Sequence, residues 1–181
     1  DFKESGKFVI AYAGNYTQAG YYLAASAHKV YLNPQGMLDL RGLSANYMFF
    51  KKALDKLGIE TNIFKVGKYK SAIEPFINDK MSDPSKEQSI ALVNSLWESM
   101  RSDLASDRGI NEDVITNFVD NGLMFSNQEL TVTSGLIDDL KYVDQIIAEL
   151  NDSCGKDADA KPNFISFKNY SKSNVKSDGK F

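Results

Sequence analysis

The sequence predicts an α/β fold built on a parallel sheet, and three segments near its start carry that prediction. FVIAYA at 8–13 is a continuous apolar run, which is typical of a buried strand. QAGYYLAASA at 18–27 is small and aromatic, which indicates a short buried helix. KVYLN at 29–33 has strand character and is ended by Pro34. Because a strand, a helix and a strand follow so closely, we expect a βαβ crossover with parallel pairing.

The next stretch predicts one more short strand, a helix and another strand. GMLDLRG at 36–42 lies between glycines, as a short strand would. From Ser44, which can serve as the N-cap, apolar residues step by three and four and predict a helix with one apolar face. Gly58 follows where a C′ glycine belongs, and IETNIFKVG at 59–67 returns to strand character. The apolar face consists of Leu43, Tyr47, Phe50, Leu54 and Leu57.

Helices dominate the rest of the predicted domain. One begins near Tyr69, and a long one runs from Pro84 to about residue 107, with Gly109 after its end. A short helix starts at Asn111, and SNQELTVTSG and VDQIIAELN predict two more, joined by the connection GLIDDL. The predicted buried face of the long helix consists of Ile90, Val93, Leu96, Trp97, Met100 and Leu104.

The organisation predicted from these patterns is one α/β domain over 1–150 and a polar connector over 151–181. NDSCGKDADAKPN at 151–163 is polar, FISFKNY at 164–170 is a short strand-like run, and the remaining residues are polar again. The chain starts without Met, in what resembles the last turn of a helix. We therefore expect it to be part of a longer protein.

Composition argues against some classes of function. Apolar residues make up 43% and charged residues 25% of the 181 residues, which is ordinary for a globular protein. The formal net charge is −3 and the basic residues are scattered, so no nucleic-acid partner is expected. No apolar run reaches the roughly 18 residues of a membrane-spanning helix, and no signal peptide is visible.

Few residues can carry metal, phosphate or triad chemistry. His28 and Cys154 are single, and the neighbours Asp138 and Asp139 would point apart, so no metal site is expected. GNYTQAG at 14–20 lacks both common phosphate-loop patterns, so no nucleotide cofactor is expected. Any Ser/His/Asp triad would need His28, for which a capping or surface role fits better, and Cys154 is interpreted as a free thiol.

Lysine remains as a candidate general base, in the segment GKYKSAIEPF at 67–76. A lysine can serve a serine nucleophile only when neutral, so its ordinary pKa of about 10.4 must fall by roughly three units, or about 4 kcal/mol. Burial and the positive end of a helix both lower a lysine pKa, and Lys70 would lie in a helical first turn. Lys68 lies in the turn and can be solvated. A surface role for Lys70 stays open, because Glu74 could pair with it and raise its pKa.

Two longer stretches resemble a known family. GNYTQAGYYLAASAHKVYLNPQGMLDLRG and FKVGKYKSAIEPFINDKMSDPSKEQ look like the amino-terminal half of the bacterial signal peptide peptidase A family, also called protease IV. The resemblance covers about residues 6–150, and the tail resembles the connector between the two halves. It implies a crotonase-like, Clp-protease-like α/β fold of ββα units with added helices, present here as a partial domain.

The resemblance also implies which residue is catalytic. The family's general-base lysine lies in a Tyr-Lys-Ser-Ala stretch, which makes it Lys70 in this sequence. The catalytic serine belongs to the carboxy-terminal half, where it opens a helix in a Ser-Gly-Gly-Tyr stretch. The equivalent residues here read Gln-Ala-Gly-Tyr at 18–21, and a glutamine amide is no nucleophile. Ser71 adjoins Lys70 but neighbours on a helix do not face each other, and Ser26 has no base nearby.

The chain is thus expected to be the base-carrying part of a serine endopeptidase with a Ser/Lys dyad, inactive without the nucleophile half. The family implies cleaved signal peptides as substrates, a homotetramer, and a membrane anchor outside this chain. It also implies the extracytoplasmic face of the bacterial inner membrane, without cofactors. Two alternatives stay open: a non-catalytic half that only builds the oligomer, and a crotonase-type acyl-CoA enzyme. A buried Lys70 amine at a cleft favours catalysis, and a solvated amine paired with Glu74 favours the scaffold.

Overall fold

The computed structural model describes residues 5–61 and 71–172. The chain divides into two compact units, Asp1–Leu140 and Lys141–Phe181. The first unit is mixed α/β and the described residues of the second are helical and irregular.

A three-stranded parallel sheet lies in the first unit. Its strand order is β1 (Ile10–Ala13), β3 (Lys29–Leu32) and β5 (Asp139–Leu140), with Ile10 opposite Lys29. Helix α1 (Gln18–Ala24) follows β1 and precedes β3, so the predicted parallel crossover is confirmed. Strand β5 falls inside GLIDDL, which the sequence pattern treats only as a connection.

A second parallel pair joins β2 (Tyr16–Thr17) to β4 (Leu38–Asp39). The strand predicted over 36–42 is therefore present in shorter form. Strand β2 was not predicted from the sequence, because two residues carry no period of their own and are defined only by their partner.

The helices after β4 follow the predicted order with different bounds. They are α2 (Lys51–Lys56), α3 (Glu74–Ile77), α4 (Asp83–Arg108), α5 (Glu112–Asp120), α6 (Glu129–Thr133), α7 (Val143–Ser153) and α8 (Phe167–Tyr170), with a 3₁₀ turn at Leu123–Phe125.

The predicted helix start at Ser44 is wrong. Helix α2 begins at Lys51, Phe50 occupies its N-cap position without a side-chain cap, and residues 43–49 are irregular. Gly58 has a φ of 70°, which confirms the predicted C′ glycine. Of the strand predicted over 59–67, residues 59–61 are not in a strand, and the rest lies outside the described residues together with the helix start near Tyr69.

The predicted limits of the long helix are confirmed. The Ser82 hydroxyl caps α4 by accepting a hydrogen bond from the Ser85 N–H at 3.4 Å, and Pro84 lies in the first turn. The helix ends at Gly109, whose φ is 64°.

The predicted buried face of α4 is only partly correct. Leu104 is fully buried, whereas Ile90 is 49% and Leu96 is 54% exposed. The C-terminal part of the helix packs against α5 and the core, but the described residues do not cover the apolar side chains nearer its start. Amphipathic spacing predicts which residues favour burial, and another part of the molecule must supply the cover.

The core of the first unit contains side chains of α1, β3 and β4, of the C-terminal part of α4 and of α5. Its largest fully buried side chains are Tyr21, Phe118, Leu32, Leu38, Leu40, Leu104, Ile115, Leu136, Ile137, Val30 and Thr131. Burial of these apolar groups is the main stabilising contribution to the unit.

A part-buried ion pair connects this core to the sheet. The Asp138 carboxylate accepts hydrogen bonds from the Val30 N–H at 2.8 Å and from the Arg108 guanidinium at 2.8 Å. Lys29 approaches the same carboxylate at 3.5 Å. The end of α4 is thereby held against β3.

The second unit contains α7 and a polar segment folded back on it. Asn151 is buried, and its amide donates to the backbone oxygens of Ala158 at 3.1 Å and Ala160 at 2.8 Å. The strand-like prediction for 164–170 is wrong, since Phe167–Tyr170 forms α8. The Ser166 hydroxyl caps that turn by accepting from the Asn169 N–H, whereas a strand requires a pairing partner that the pattern alone does not provide.

Candidate functional site

The predicted catalytic residue, Lys70, lies outside the described residues, as does Lys68. Two described segments bear on the candidate site: residues 71–82, which follow Lys70, and residues 16–21, where the resemblance locates the equivalent of a nucleophile.

Glu74 is the charged residue buried in the first of these segments, with only 2% of its surface exposed. It opens α3, and both of its carboxylate oxygens bind Ser82: one accepts from the Ser82 N–H at 3.0 Å and the other from its hydroxyl at 2.6 Å. Because Ser82 caps α4, the carboxylate lies at the positive end of that helix. The sequence identified Glu74 only as a possible partner of Lys70 and missed this link, because Ser82 is eight residues away.

A second set of contacts connects α3 to α2. The Phe50 and Phe76 rings stack with centroids 6.0 Å apart, and the Phe50 N–H donates to the Pro75 carbonyl at 2.6 Å. The segment that follows Lys70 is thus attached both to α2 and to the start of α4.

Gln18, at the position that the resemblance assigns to the nucleophile, has a structural role. Its Oε1 accepts from the N–H groups of Arg41 and Gly42, both at 2.9 Å, and its Nε2 donates to the Gly42 carbonyl at 3.1 Å. Residues 41 and 42 follow β4, beyond the last pairing of that strand with β2. The Gln18 side chain therefore makes the hydrogen bonds to the backbone of Arg41 and Gly42 that a neighbouring strand would otherwise make.

The rest of this turn is equally structural. Thr17 caps α1 by accepting from the Gly20 N–H at 3.1 Å. The Tyr21 hydroxyl donates to the Leu136 carbonyl, and burial raises the pKa of this tyrosine far above its ordinary value. Burial likewise raises the pKa of Tyr16 to about 12. Both tyrosines stay protonated near neutrality and cannot serve as bases.

Other candidate residues from the sequence have local roles. His28 is exposed and its Nδ1 accepts from the Val9 N–H at 3.0 Å, in agreement with the predicted surface or capping role. The Ser26 hydroxyl donates to the Leu23 carbonyl at 3.1 Å. Cys154 is a free, exposed thiol.

Over residues 5–61 and 71–172, no three His, Cys, Asp or Glu side chains are grouped to hold a metal ion. None of the helices in these ranges combines the length and the apolar character of a membrane span.

A groove of about 270 Å³ lies beside the first half of α4. Tyr47 forms one side, and its hydroxyl accepts from the Ser89 hydroxyl at 3.1 Å. Met81, Ile90 and Val93 make much of the lining apolar. Its size and lining could accommodate an apolar side chain of a bound peptide.

Comparison with known proteins identifies the family. The family model "Peptidase family S49" matches residues 1–173. Protease 4 of Haemophilus influenzae is 36% identical over 93% of this chain and 28% of its own length. Protease 4 of Salmonella typhi is 44% identical over 61% of the chain and 18% of its own length. The chloroplastic serine protease SPPA of Arabidopsis thaliana is 28% identical over 94% of the chain and 25% of its own length. The chain, which spans less than a third of the length of each of these relatives, belongs to peptidase family S49.

Proposed function

We propose that this chain supplies the general base, Lys70, to a serine peptidase with a Ser/Lys dyad. The nucleophilic serine comes from the carboxy-terminal half of the same protein, to which 151–181 leads. Membership of family S49 and the similarity to Protease 4 support a peptidase. The mixed α/β architecture with parallel strand pairs is compatible with the crotonase-like fold of ββα units that we propose for this half.

The observation that supports placing the base and the nucleophile in different halves is the hydrogen bonding of Gln18. Its amide is used in three hydrogen bonds with Arg41 and Gly42 at the position that the resemblance assigns to the nucleophile. An amide cannot attack a peptide carbonyl, so a nucleophile must come from elsewhere if this half takes part in catalysis.

The proposed mechanism needs a neutral amine at residue 70. Lys70 takes the proton of the incoming serine hydroxyl, and the serine oxygen attacks the peptide carbonyl. Backbone N–H groups near that serine stabilise the oxyanion, and Lys70 then protonates the leaving amine. Water hydrolyses the acyl-enzyme. Lowering the lysine pKa from about 10.4 towards neutrality requires the ammonium form to be destabilised by about 4 kcal/mol relative to the neutral amine.

The proposed substrates are signal peptides left after preprotein cleavage. The apolar groove beside α4 suits peptides of this composition. We further propose a homotetramer on the extracytoplasmic face of the bacterial inner membrane, attached by a segment outside this chain.

The test compares Lys70→Ala with Lys68→Ala in the complete two-half protein, using a fluorogenic peptide. Lys70→Ala should lower kcat by about 10²–10⁴-fold or more, because it removes the base, and Lys68→Ala should be nearly silent. The chain alone should show no turnover. Retention of activity by Lys70→Ala, or turnover by the chain alone that Lys70→Ala abolishes, would contradict the proposal.

A non-catalytic scaffold is a second candidate, and the exposed apolar side chains of Phe76, Ile90 and Leu96 are compatible with it. Such side chains indicate a face that another body covers. A scaffold and a base-carrying half would both need that face. The scaffold predicts that Lys70→Ala is as silent as Lys68→Ala, so the same assay separates the two.

A further inference from the structure

We propose that Glu74 is a positioning residue for the peptidase reaction: its buried carboxylate fixes the segment after Lys70 to the start of α4. This inference rests on the proposed function, since it needs Lys70 to be the base. It gives Glu74 a role in addition to the possible pairing with Lys70 that the sequence raised.

The geometry that carries the inference is a closed side-chain bridge. The Glu74 carboxylate receives two hydrogen bonds from Ser82, at 3.0 and 2.6 Å, so the segment from 74 to 82 cannot open without breaking both. The Ser82 hydroxyl is also the cap of α4. One buried carboxylate therefore connects the first residue of α3 to the first turn of a 26-residue helix.

Burial explains why this bridge is costly to remove. A carboxylate with 2% exposure is stable only when its oxygens are hydrogen-bonded, and Ser82 together with the helix N-terminus supplies part of that stabilisation. The two hydrogen bonds come from the same residue and hold both carboxyl oxygens, so the bridge resists displacement. A glutamine at 74 has nearly the same shape, but an NH₂ group, which donates hydrogen bonds, replaces one of the two carboxyl oxygens that accept them.

The consequence for Lys70 follows from its place in the chain. Lys70 precedes Ser71, and the segment that begins there is fixed by Glu74 to α4 and by the Phe50–Phe76 stack to α2. General-base catalysis depends on distance and alignment, and a misplacement of about 1 Å can cost on the order of a hundredfold in rate. Weakening the Glu74 bridge should therefore lower turnover more than substrate binding.

The experiment measures kcat and KM of Glu74→Gln in the complete two-half protein. Lys70→Ala runs alongside, and Glu87→Gln, an exposed glutamate on α4, is the matched control. We expect Glu74→Gln to lower kcat by about 10- to 100-fold with KM changed by less than about threefold, and Glu87→Gln to be silent. All rates are expressed per folded molecule, from thermal unfolding curves.

Ser82 provides a second, milder pair of variants in case Glu74→Gln does not fold. Ser82→Ala removes only the hydroxyl and should lower kcat, whereas Ser82→Thr keeps the hydroxyl and should restore it. Unchanged kcat per folded molecule in Glu74→Gln and in Ser82→Ala, with Lys70→Ala inactive, would overturn the positioning role alone. Full activity of Lys70→Ala would overturn the proposed function, and the positioning role with it.

Discussion

At the scale of single residues, Asp138 shows how one carboxylate links the sheet to the longest of the described helices. Burial pushes its pKa up, but the Val30 N–H, the Arg108 guanidinium and Lys29 outweigh burial, so the pKa lies below its ordinary value. The ionised form is therefore the one that the folded state prefers. Arg108 has a side chain only 7% exposed, so it relies on this partner.

Asp138→Asn should destabilise the chain at neutral pH by roughly 1–3 kcal/mol, because it leaves the Arg108 charge buried without its carboxylate. A lowered folded-state pKa gives stability that is present above the ordinary pKa of about 4 and is lost as the pH falls below it. The cost of Asp138→Asn should therefore shrink from pH 7 to pH 3. Urea unfolding at both pH values measures this, with exposed Asp120→Asn as control. An equal cost at both would contradict it.

At the scale of elements, two C′ glycines end helices under different constraints. Gly58 follows α2 with a φ of 70° and Gly135 follows α6 with a φ of 77°. A Cβ on Gly58 would meet nothing within 4 Å, whereas a Cβ on Gly135 would lie 2.9 Å from Ile110 Cγ2. Gly58 is therefore required only by its left-handed backbone conformation, whereas Gly135 is required both by that conformation and by packing against Ile110.

Gly58→Ala should therefore cost about 1–2 kcal/mol, the penalty of a left-handed conformation. Gly135→Ala should cost about 1–3 kcal/mol more, since Ile110 must also move. Chemical denaturation of both variants measures the difference. In an Ile110→Ala background the cost of Gly135→Ala should fall towards that of Gly58→Ala, and an unchanged difference would refute the packing argument.

At the scale of the whole molecule, α4 divides into a covered part and an exposed part. Leu104 is fully buried and Leu96 is 54% exposed on the same helix. Leu104→Ala should cost about 2–5 kcal/mol, because it opens a cavity, and Leu96→Ala less than about 1 kcal/mol in this chain. Urea unfolding midpoints measure both. Equal costs would show that Leu96 is covered.

The parts of the fold that sequence predicts well are those that local chemistry determines. Pro84, Gly109 and Asn111 mark helix ends by their own backbone and side-chain properties, and the structure places those ends accordingly. The short strands β2 and β5 depend on partners distant in sequence, so no local period predicts them. Helix α2 begins later than the apolar pattern predicts, because that pattern says nothing of where the backbone turns.

The candidate site divides in the same way. The resemblance assigns the general base to Lys70 and places Gln18 where a nucleophile is expected, and both assignments come from residues read in order. The hydrogen bonds of Gln18 join it to residues 41 and 42, and those of Glu74 join it to Ser82. Helical or strand spacing predicts neither set of hydrogen bonds, because irregular loops bring the donor and acceptor groups together.

The Asn151 amide bears on the length of the connector proposed for 151–181. Residues 151–153 belong to α7, and because Asn151 binds the backbone at Ala158 and Ala160, residues 154–160 fold back towards that helix. In the proposed two-half protein, this folding shortens the maximum span of the connector by roughly 25 Å relative to a fully extended stretch. A shorter connector raises the effective concentration of one half near the other, which favours docking within one chain over exchange between chains.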